Sequence, residues 1–365
     1  MNTDTHALRV LFLINHAGNG GSEKYVYNLV QAYEGNGAKC FFVYNEAGKL
    51  SEQMQELNIP SFHLMMRNPF DFSAAKQLAK LCRENKIDVI HAQYPRENYI
   101  ALLSKRYYKN PRVVYTCHLM TPTPAWYKPL NRWMSKKNHR IIAVCNPMRA
   151  HLISIGMRAE KIRVIYNGIL PKPERASGGI RKALSIPEDA FVITTLARYD
   201  RVKRLDLLTE AVHKFKQITD KPFRVLYVGD GDLFDEVKAQ IQNLGLENEV
   251  LQLGFRTDTD DILSESDLFV NASENEALSF AILEALSHAL PVVATNIGGN
   301  PDILSPEHDC GILVEFGDTE EMANAFLRLQ EDKVLYDRCS ANAQTAANTV
   351  FNLKNILEDT FAVYH

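Results

Sequence analysis

The segment NASENEALSFAILEALSHALPVVATNIGGNP, Asn271 to Pro301, decides the fold. Leu268–Asn271 at its start and Val292–Ala294 within it are short apolar runs, which read as parallel strands covered on both faces. A helical stretch separates them, so the segment is one strand–helix–strand unit of an open α/β sheet. Two carboxylates, Glu276 and Glu284, flank the predicted helix start; helical geometry through all eight steps would separate them by about 12 Å. The amides of Leu278, Ser279, Phe280 and Ala281 are expected to lie free at the helix N-terminus as an anion site. Gly298 and Gly299 follow the second strand as a tight loop. One short segment thus offers acceptors for two sets of hydroxyls and donors for phosphate oxygens, the groups a nucleotide-sugar presents. An acidic helix start favoured by the macrodipole explains the same carboxylates without a ligand, so the rest of the chain has to decide.

The same alternation runs outward in both directions. Predicted strands are Arg9–Ile14, Cys40–Val43, Val89–Ala92, Val113–Thr116 and Arg140–Val144, with a short one before Asn167. Phe191–Leu196, Val225–Gly229, Val250–Leu253, Leu268–Asn271 and Val292–Ala294 follow. Helical intervals such as Lys24–Glu34, Ala74–Asn85, Leu205–Thr219 and Asp232–Asn243 separate them, giving a doubly wound α/β pattern twice over. Leu170–Gly179 (LPKPERASGG), rich in Pro, Gly and charge, reads as the linker. The 365 residues exceed what one core usually fills, so two domains are expected.

Charge divides at the same place. Residues 1–172 carry 24 Lys and Arg against 11 Asp and Glu, whereas the remainder carries 17 against 33. The basic half therefore points toward something anionic. Six cysteines are scattered without metal-ligand spacing, which fits a reducing cytoplasm better than a disulfide framework. The first residues read as a strand and not a signal peptide, and no apolar run is long enough to span a bilayer. A soluble, cytoplasmic chain is expected, with no nucleic-acid partner.

In doubly wound folds ligands bind beyond the carboxyl ends of strands, and the remaining motifs fall there. The first such loop, NHAGNGGSEK, holds Gly20 and Gly21 before a helix, but Glu23 stands where a dinucleotide fingerprint needs glycine. Arg198 and Lys203, in ARYDRVK, leave a strand end five residues apart, where cations compensate a pyrophosphate leaving group. Asn167-Gly168 reads first as a simple turn. Asp230-x-Asp232 and Asp258-x-Asp260 have the form of acidic metal motifs, yet a turn and a helix start explain them, and no metal is expected. His118 follows the strand Val113–Thr116, and His91 lies in the strand before it.

Taken in order and spacing, GGSE (Gly20–Glu23), VIHA, YTCH, YNG, ARYDRVK, VGDG and the E-x7-E pair resemble the retaining GT-B glycosyltransferases of family 4, over nearly the whole chain. The resemblance implies two Rossmann-like domains facing a cleft, residues 1–170 on the acceptor side and 171–349 holding the nucleotide-sugar. A C-terminal helix, about 350–365, is expected to return to the first domain. By resemblance Arg198 and Lys203 bind the diphosphate, Glu284 the ribose, and Glu276 with Leu278, Ser279 and Phe280 the donor sugar. His118 lies near that sugar's outer hydroxyls, Gly20 and Gly21 line the phosphate or acceptor side, Asn167 and Gly168 join the donor site, and Arg256 lies near the base. Two departures stand out: Ala277 where the family often has Gly, and Cys145 where it often has Ser.

The expectation is therefore a retaining, metal-independent transferase moving a sugar from a nucleoside-diphosphate donor, in its UDP form, to a hydroxyl acceptor of a cell-surface polysaccharide or glycolipid. A nucleotide-sugar hydrolase or epimerase, and a non-catalytic sugar-nucleotide binder, are the alternatives. Trp126 and Trp133 lie among ten Lys and Arg and one acid between Arg96 and Arg140. Such a mixture suits the surface of an anionic membrane and a lipid-linked acceptor, and equally a solvated basic face over buried tryptophans.

Overall fold

The computed structural model describes residues 7–172 and 179–365. It divides into two compact units, Met1–Asn167 with Ile356–His365, and Gly168–Asn355. Most of the expected linker, residues 173–178, and the first six residues lie outside the described part.

The first unit holds a seven-stranded sheet made from β1 (Leu8–His16), β2 (Ala38–Glu46), β3 (Ser61–His63), β4 (Val89–Ala92), β5 (Arg112–Cys117), β6 (Arg140–Ala143) and β7 (Ile162–Val164). Its order is β3-β2-β1-β4-β5-β6-β7 and every pairing is parallel. Strands Val89–Ala92 and Phe191–Leu196 match their predicted bounds; each is a largely apolar run, rich in β-branched residues and buried along most of its length. The core packs Leu11, Leu13, Phe41, Val43, Ile90 and Val113 against the covering helices. The C-terminal helix Leu353–Ala362 ends inside this unit. There Tyr33 Oη donates to the Leu357 carbonyl (2.6 Å), Arg112 donates to the Tyr364 carbonyl (2.6 Å), and the buried Tyr364 hydroxyl meets His91 Nδ1 at 2.8 Å.

The second unit repeats the plan with β8 (Phe191–Leu196), β9 (Phe223–Val228), β10 (Val250–Gly254), β11 (Leu268–Asn271), β12 (Val292–Thr295) and β13 (Gly311–Val314). The order β10-β9-β8-β11-β12-β13 is again all parallel. Ile193, Val225, Tyr227, Leu268, Val270 and Val293 form its core. Two strands, β3 and β13, were not among those expected, although Ile312–Val314 is itself a short apolar run. β3 is three residues long and half exposed, and β13 is a four-residue edge strand opening on glycine. All six cysteines are free and buried.

Candidate functional site

Each sheet has one point where the strand order reverses, and there neighbouring helices leave on opposite faces and open a crevice. In the second unit that point lies between β8 and β11, which are adjacent although β9 and β10 intervene in sequence. The loop after β8 carries Arg198 and Lys203, and the loop after β11 carries Glu276. Sequence residues 73 apart are thereby brought into contact: Lys203 Nζ lies 2.5 Å from Glu276 Oε1.

Both loops are held from behind. Asp200 caps the short turn Arg201–Lys203 by accepting from the Lys203 amide at 3.1 Å. Gly229 at φ +135° presses on the same loop, since a Cβ there would lie 1.9 Å from the Ala197 carbonyl oxygen. The Glu276 loop is packed from the other side by Gly298 at φ +51°, where a Cβ would meet the Glu276 carbonyl oxygen at 1.7 Å. Thr295 Oγ1 donates to the Ser273 carbonyl at 2.6 Å. Gly229 and Gly298 thus serve as packing devices for the two charged loops.

Glu276 is only 12% exposed in its side chain. Its Oε1 accepts from Lys203, from Ser273 Oγ (2.9 Å) and from Asn271 Nδ2 (3.3 Å), while Oε2 takes no donor among the described residues. Asn271 in turn accepts from Asn300 Nδ2 at 3.4 Å, and Asn300 also donates to the Thr295 carbonyl at 3.0 Å. Arg198, 79% exposed, pairs with Asp200 at 2.9 Å.

Two expectations about this segment need correction. The helix spans Phe280–Ser287, so Glu276 lies in the loop before it and the eight residues to Glu284 are not one helical span. Ser279 is the N-cap and its Oγ already accepts from the Ile282 amide at 3.5 Å, so the free amides at the helix start do not begin at Leu278. The physical reason is that Ser279 caps better than any neighbour, and Leu278 turns into the core. Glu284 is half-buried on this helix, one to two turns past Ser279. Arg256 stands apart: it follows the edge strand β10, two strands or about 10 Å along from β8, and it is held in a bidentate pair by Asp258 (2.8 and 2.5 Å). Of the acidic motifs, Asp230 accepts from the Gly231 amide (2.8 Å), and Asp260 faces Lys172 (2.8 Å) and His288 (3.1 Å). No group of three or more metal-ligating side chains occurs among the described residues.

In the first unit the reversal lies between β1 and β4. Gly20 is the extended residue before the helix Gly21–Tyr33, which Gly21 opens. The next residue, Ser22, shares a hydrogen bond with the Tyr94 hydroxyl (2.7 Å), and the Tyr94 ring lies 5.8 Å from that of His118. Gly20, Gly21 and His118 therefore border one polar patch. His118 Nε2 meets Gln93 Oε1 at 3.0 Å; as the amide oxygen only accepts, the ring proton sits on Nε2. Burial pushes this imidazole down to about 3, so it is neutral near pH 7. Asn167 ends the first unit and Gly168 begins the second, both buried. Cys145 replaces the expected serine in kind: its Sγ accepts from the Met148 amide at 3.4 Å as N-cap of Asn146–Ser154.

Known proteins bear on this arrangement. Residues 178–346 match the family described as Glycosyl transferases group 1, and residues 19–172 match Glycosyltransferase Family 4. The chain is 31% identical over 304 residues to the Escherichia coli UDP-Gal:alpha-D-GlcNAc-diphosphoundecaprenol alpha-1,3-galactosyltransferase, covering 79% of this chain and 77% of that one. It is 24% identical over 318 residues to the Bacillus anthracis N-acetyl-alpha-D-glucosaminyl L-malate synthase, covering 85% and 83%. A crystal structure of Anabaena HepE in complex with UDP superposes with a TM-score of 0.86 at 22% identity, over 97% of this chain and 99% of that one. Matched along both units and sharing the GT-B fold of these relatives, the chain belongs to glycosyltransferase family 4, the group 1 glycosyltransferases.

Proposed function

We propose that this glycosyltransferase moves a sugar from a UDP-sugar to a hydroxyl acceptor, with retention of configuration and without a metal ion. The observation that carries the reading is the Lys203–Glu276 pair at the reversal between β8 and β11, with Glu276 Oε2 left without a donor. Lys203 and Arg198 receive the diphosphate and stabilise the charge that develops on it as the sugar leaves. Glu276 Oε2 and the amides at the start of Phe280–Ser287 hold the donor sugar, and Glu284 takes the ribose hydroxyls. Gly254–Arg256, about 10 Å along the sheet edge, serve the base. In the first unit His118 is neutral and keeps Nδ1 available to a hydroxyl, with Gly20 and Gly21 on the phosphate or acceptor side; Asn167 and Gly168 are assigned to donor binding. Asp258 and Asp260 face cations, and Asp230 a backbone amide, which supports charge compensation by Arg198 and Lys203. In a front-face displacement the departing phosphate takes the acceptor proton.

A thermal-shift panel of UDP-, GDP- and ADP-sugars tests the donor. A UDP-sugar at 100 times its Kd adds about 2.7 kcal/mol of stability, and EDTA should change neither this nor turnover. Stabilisation by GDP- or ADP-sugars alone overturns the UDP assignment. NMR of the product's anomeric proton reads retention.

The acceptor is proposed to be lipid-linked, as the name of the Escherichia coli relative says of its own. Trp126 and Trp133 are 69% and 56% exposed, on and beside the helix Tyr127–Ser135 with Lys128 and Arg132; Lys137 Nζ lies 3.8 Å from the Trp133 ring. Exposed indoles among cations suit the interface of an anionic leaflet. The proposed location is therefore cytoplasmic, peripheral at the inner membrane face. Binding to anionic vesicles that salt weakens is the expected result. Equal, negligible binding to neutral and anionic vesicles leaves a soluble acceptor, the kind named for the Bacillus anthracis relative.

A further inference from the structure

We infer that Asn300 is a positioning residue for the donor sugar: acting through Asn271, it fixes which way the Glu276 carboxylate faces. The inference rests on the sugar-binding reading of Glu276. Asn300 is fully buried at the start of the short helix after β12, and Asn271 is buried at the end of β11. They are 29 residues apart and meet only because β11 and β12 are neighbours.

Two backbone groups set the direction of the chain of hydrogen bonds, the Thr295 carbonyl and the Ser273 amide, which donates to Asn271 Oδ1 at 3.4 Å. The Thr295 carbonyl can only accept, so the Asn300 amide must turn its NH2 toward it, at 3.0 Å. The same NH2 then faces Asn271, which must present Oδ1, at 3.4 Å. Asn271 is left with Nδ2 on its other side, and that nitrogen donates to Glu276 Oε1 at 3.3 Å. With Ser273 Oγ on the same oxygen at 2.9 Å, Oε1 is occupied by protein and Oε2 is left for a ligand. The arrangement is kept although Asn300 Oδ1 is buried with no partner among the described residues. A residue serving only to fill space there would leave no such acceptor unmet, since buried polar groups are ordinarily paired. Asn300 touches no ligand itself; its effect passes through two amides.

The test measures Kd for UDP-glucose and for UDP by calorimetry in the wild type, Asn300→Ala, Glu276→Ala and the double variant. If another UDP-sugar stabilises the wild type more in the thermal panel, it replaces UDP-glucose. The ratio Kd(UDP)/Kd(UDP-glucose) isolates the sugar's contribution. Glu276→Ala should lower that ratio about tenfold, the scale of one hydrogen bond to a charged group. Asn300→Ala should lower it severalfold with UDP affinity near wild type, and should lower it no further in the Glu276→Ala background. Asn300→Asp has the same shape but, ionised, cannot donate to the Thr295 carbonyl, so it should behave like Asn300→Ala; it also serves if the alanine variant fails to fold. Equal effects of Asn300 variants with and without Glu276, or equal losses of UDP and UDP-glucose affinity, overturn the positioning role alone. A normal ratio in Glu276→Ala removes the sugar-binding reading of that carboxylate, and the positioning role with it.

Discussion

Lys203 and Arg198 look alike in the sequence and differ in their surroundings. Lys203 is fastened to a largely buried carboxylate, whereas Arg198 reaches into solvent beside Asp200. Replacing either by alanine should lower turnover about 10²–10³-fold, the scale of one preorganised donor to a developing charge. Only Lys203→Ala should also lower the melting temperature, because it strands Glu276; exposed pairs such as Arg198–Asp200 contribute little. UDP release and thermal melts on both variants check this, and unchanged turnover would remove the diphosphate role. Glu97 gives a prediction of opposite sign. It is fully buried, neither carboxylate oxygen has a hydrogen-bond partner among the described residues, and burial raises it to about 7. Its folded-state value lies above its unfolded one, so it favours folding below pH 4.5 and that stability is lost as pH rises through 7. Glu97→Gln should therefore gain stability relative to wild type between pH 5 and pH 8, by up to about 3 kcal/mol. A gain equal at both pH values would mean the carboxyl is not desolvated. What was legible at this scale was charge: Glu276, Glu284, Arg198 and Lys203 stand out in strand-end loops. Asn271 and Asn300 did not, because an asparagine ending a strand or preceding proline reads as a turn residue, and only strand adjacency joins them.

Elements were legible where burial is continuous. β4, β8 and β11 have the bounds their largely apolar runs suggest, whereas β3 and β13 are edge strands of only three and four residues. The start of the helix Phe280–Ser287 was misplaced because Leu278 has the apolar spacing of a helix face while the capping serine follows it. That loop is held by close packing with the one after β12, and Gly298 is the point of contact. Gly298→Ala must place a methyl group within the Glu276 carbonyl at a left-handed φ. The conformation alone costs about 1–2 kcal/mol for an L-residue, and moving the Glu276 backbone adds to it. The expected outcome is a lower midpoint in chemical denaturation together with weaker UDP-sugar binding. A destabilised protein that binds normally would show the two loops to be mechanically independent.

For the whole molecule, the doubled α/β pattern and the change of charge sign both marked two bodies before any coordinates. The order of strands in each sheet was not marked, because it depends on which apolar runs find each other and not on their composition. Nor was the depth to which the chain's end enters the first unit: Tyr364 lies fully buried against Tyr33 and His91. Tyr364→Ala should cost about 3–5 kcal/mol, the range for a large buried aromatic, measured by denaturant unfolding. A loss below 1 kcal/mol would mean the last turn frays freely.

The six buried thiols have a practical consequence. Cys40, Cys82, Cys117 and Cys145 belong to the first unit, and Cys310 and Cys339 to the second. Burial raises Cys82 and Cys310 to about 12 and Cys339 to about 11, so near pH 8 scarcely any thiolate is present even where a reagent could arrive. A thiol-reactive dye should therefore read near zero on the native protein and label each unit only as it opens. Mass spectrometry of the tagged peptides along a denaturant series would date the opening of the two halves separately. The wild-type chain carries a built-in pair of clocks, with no engineered probe.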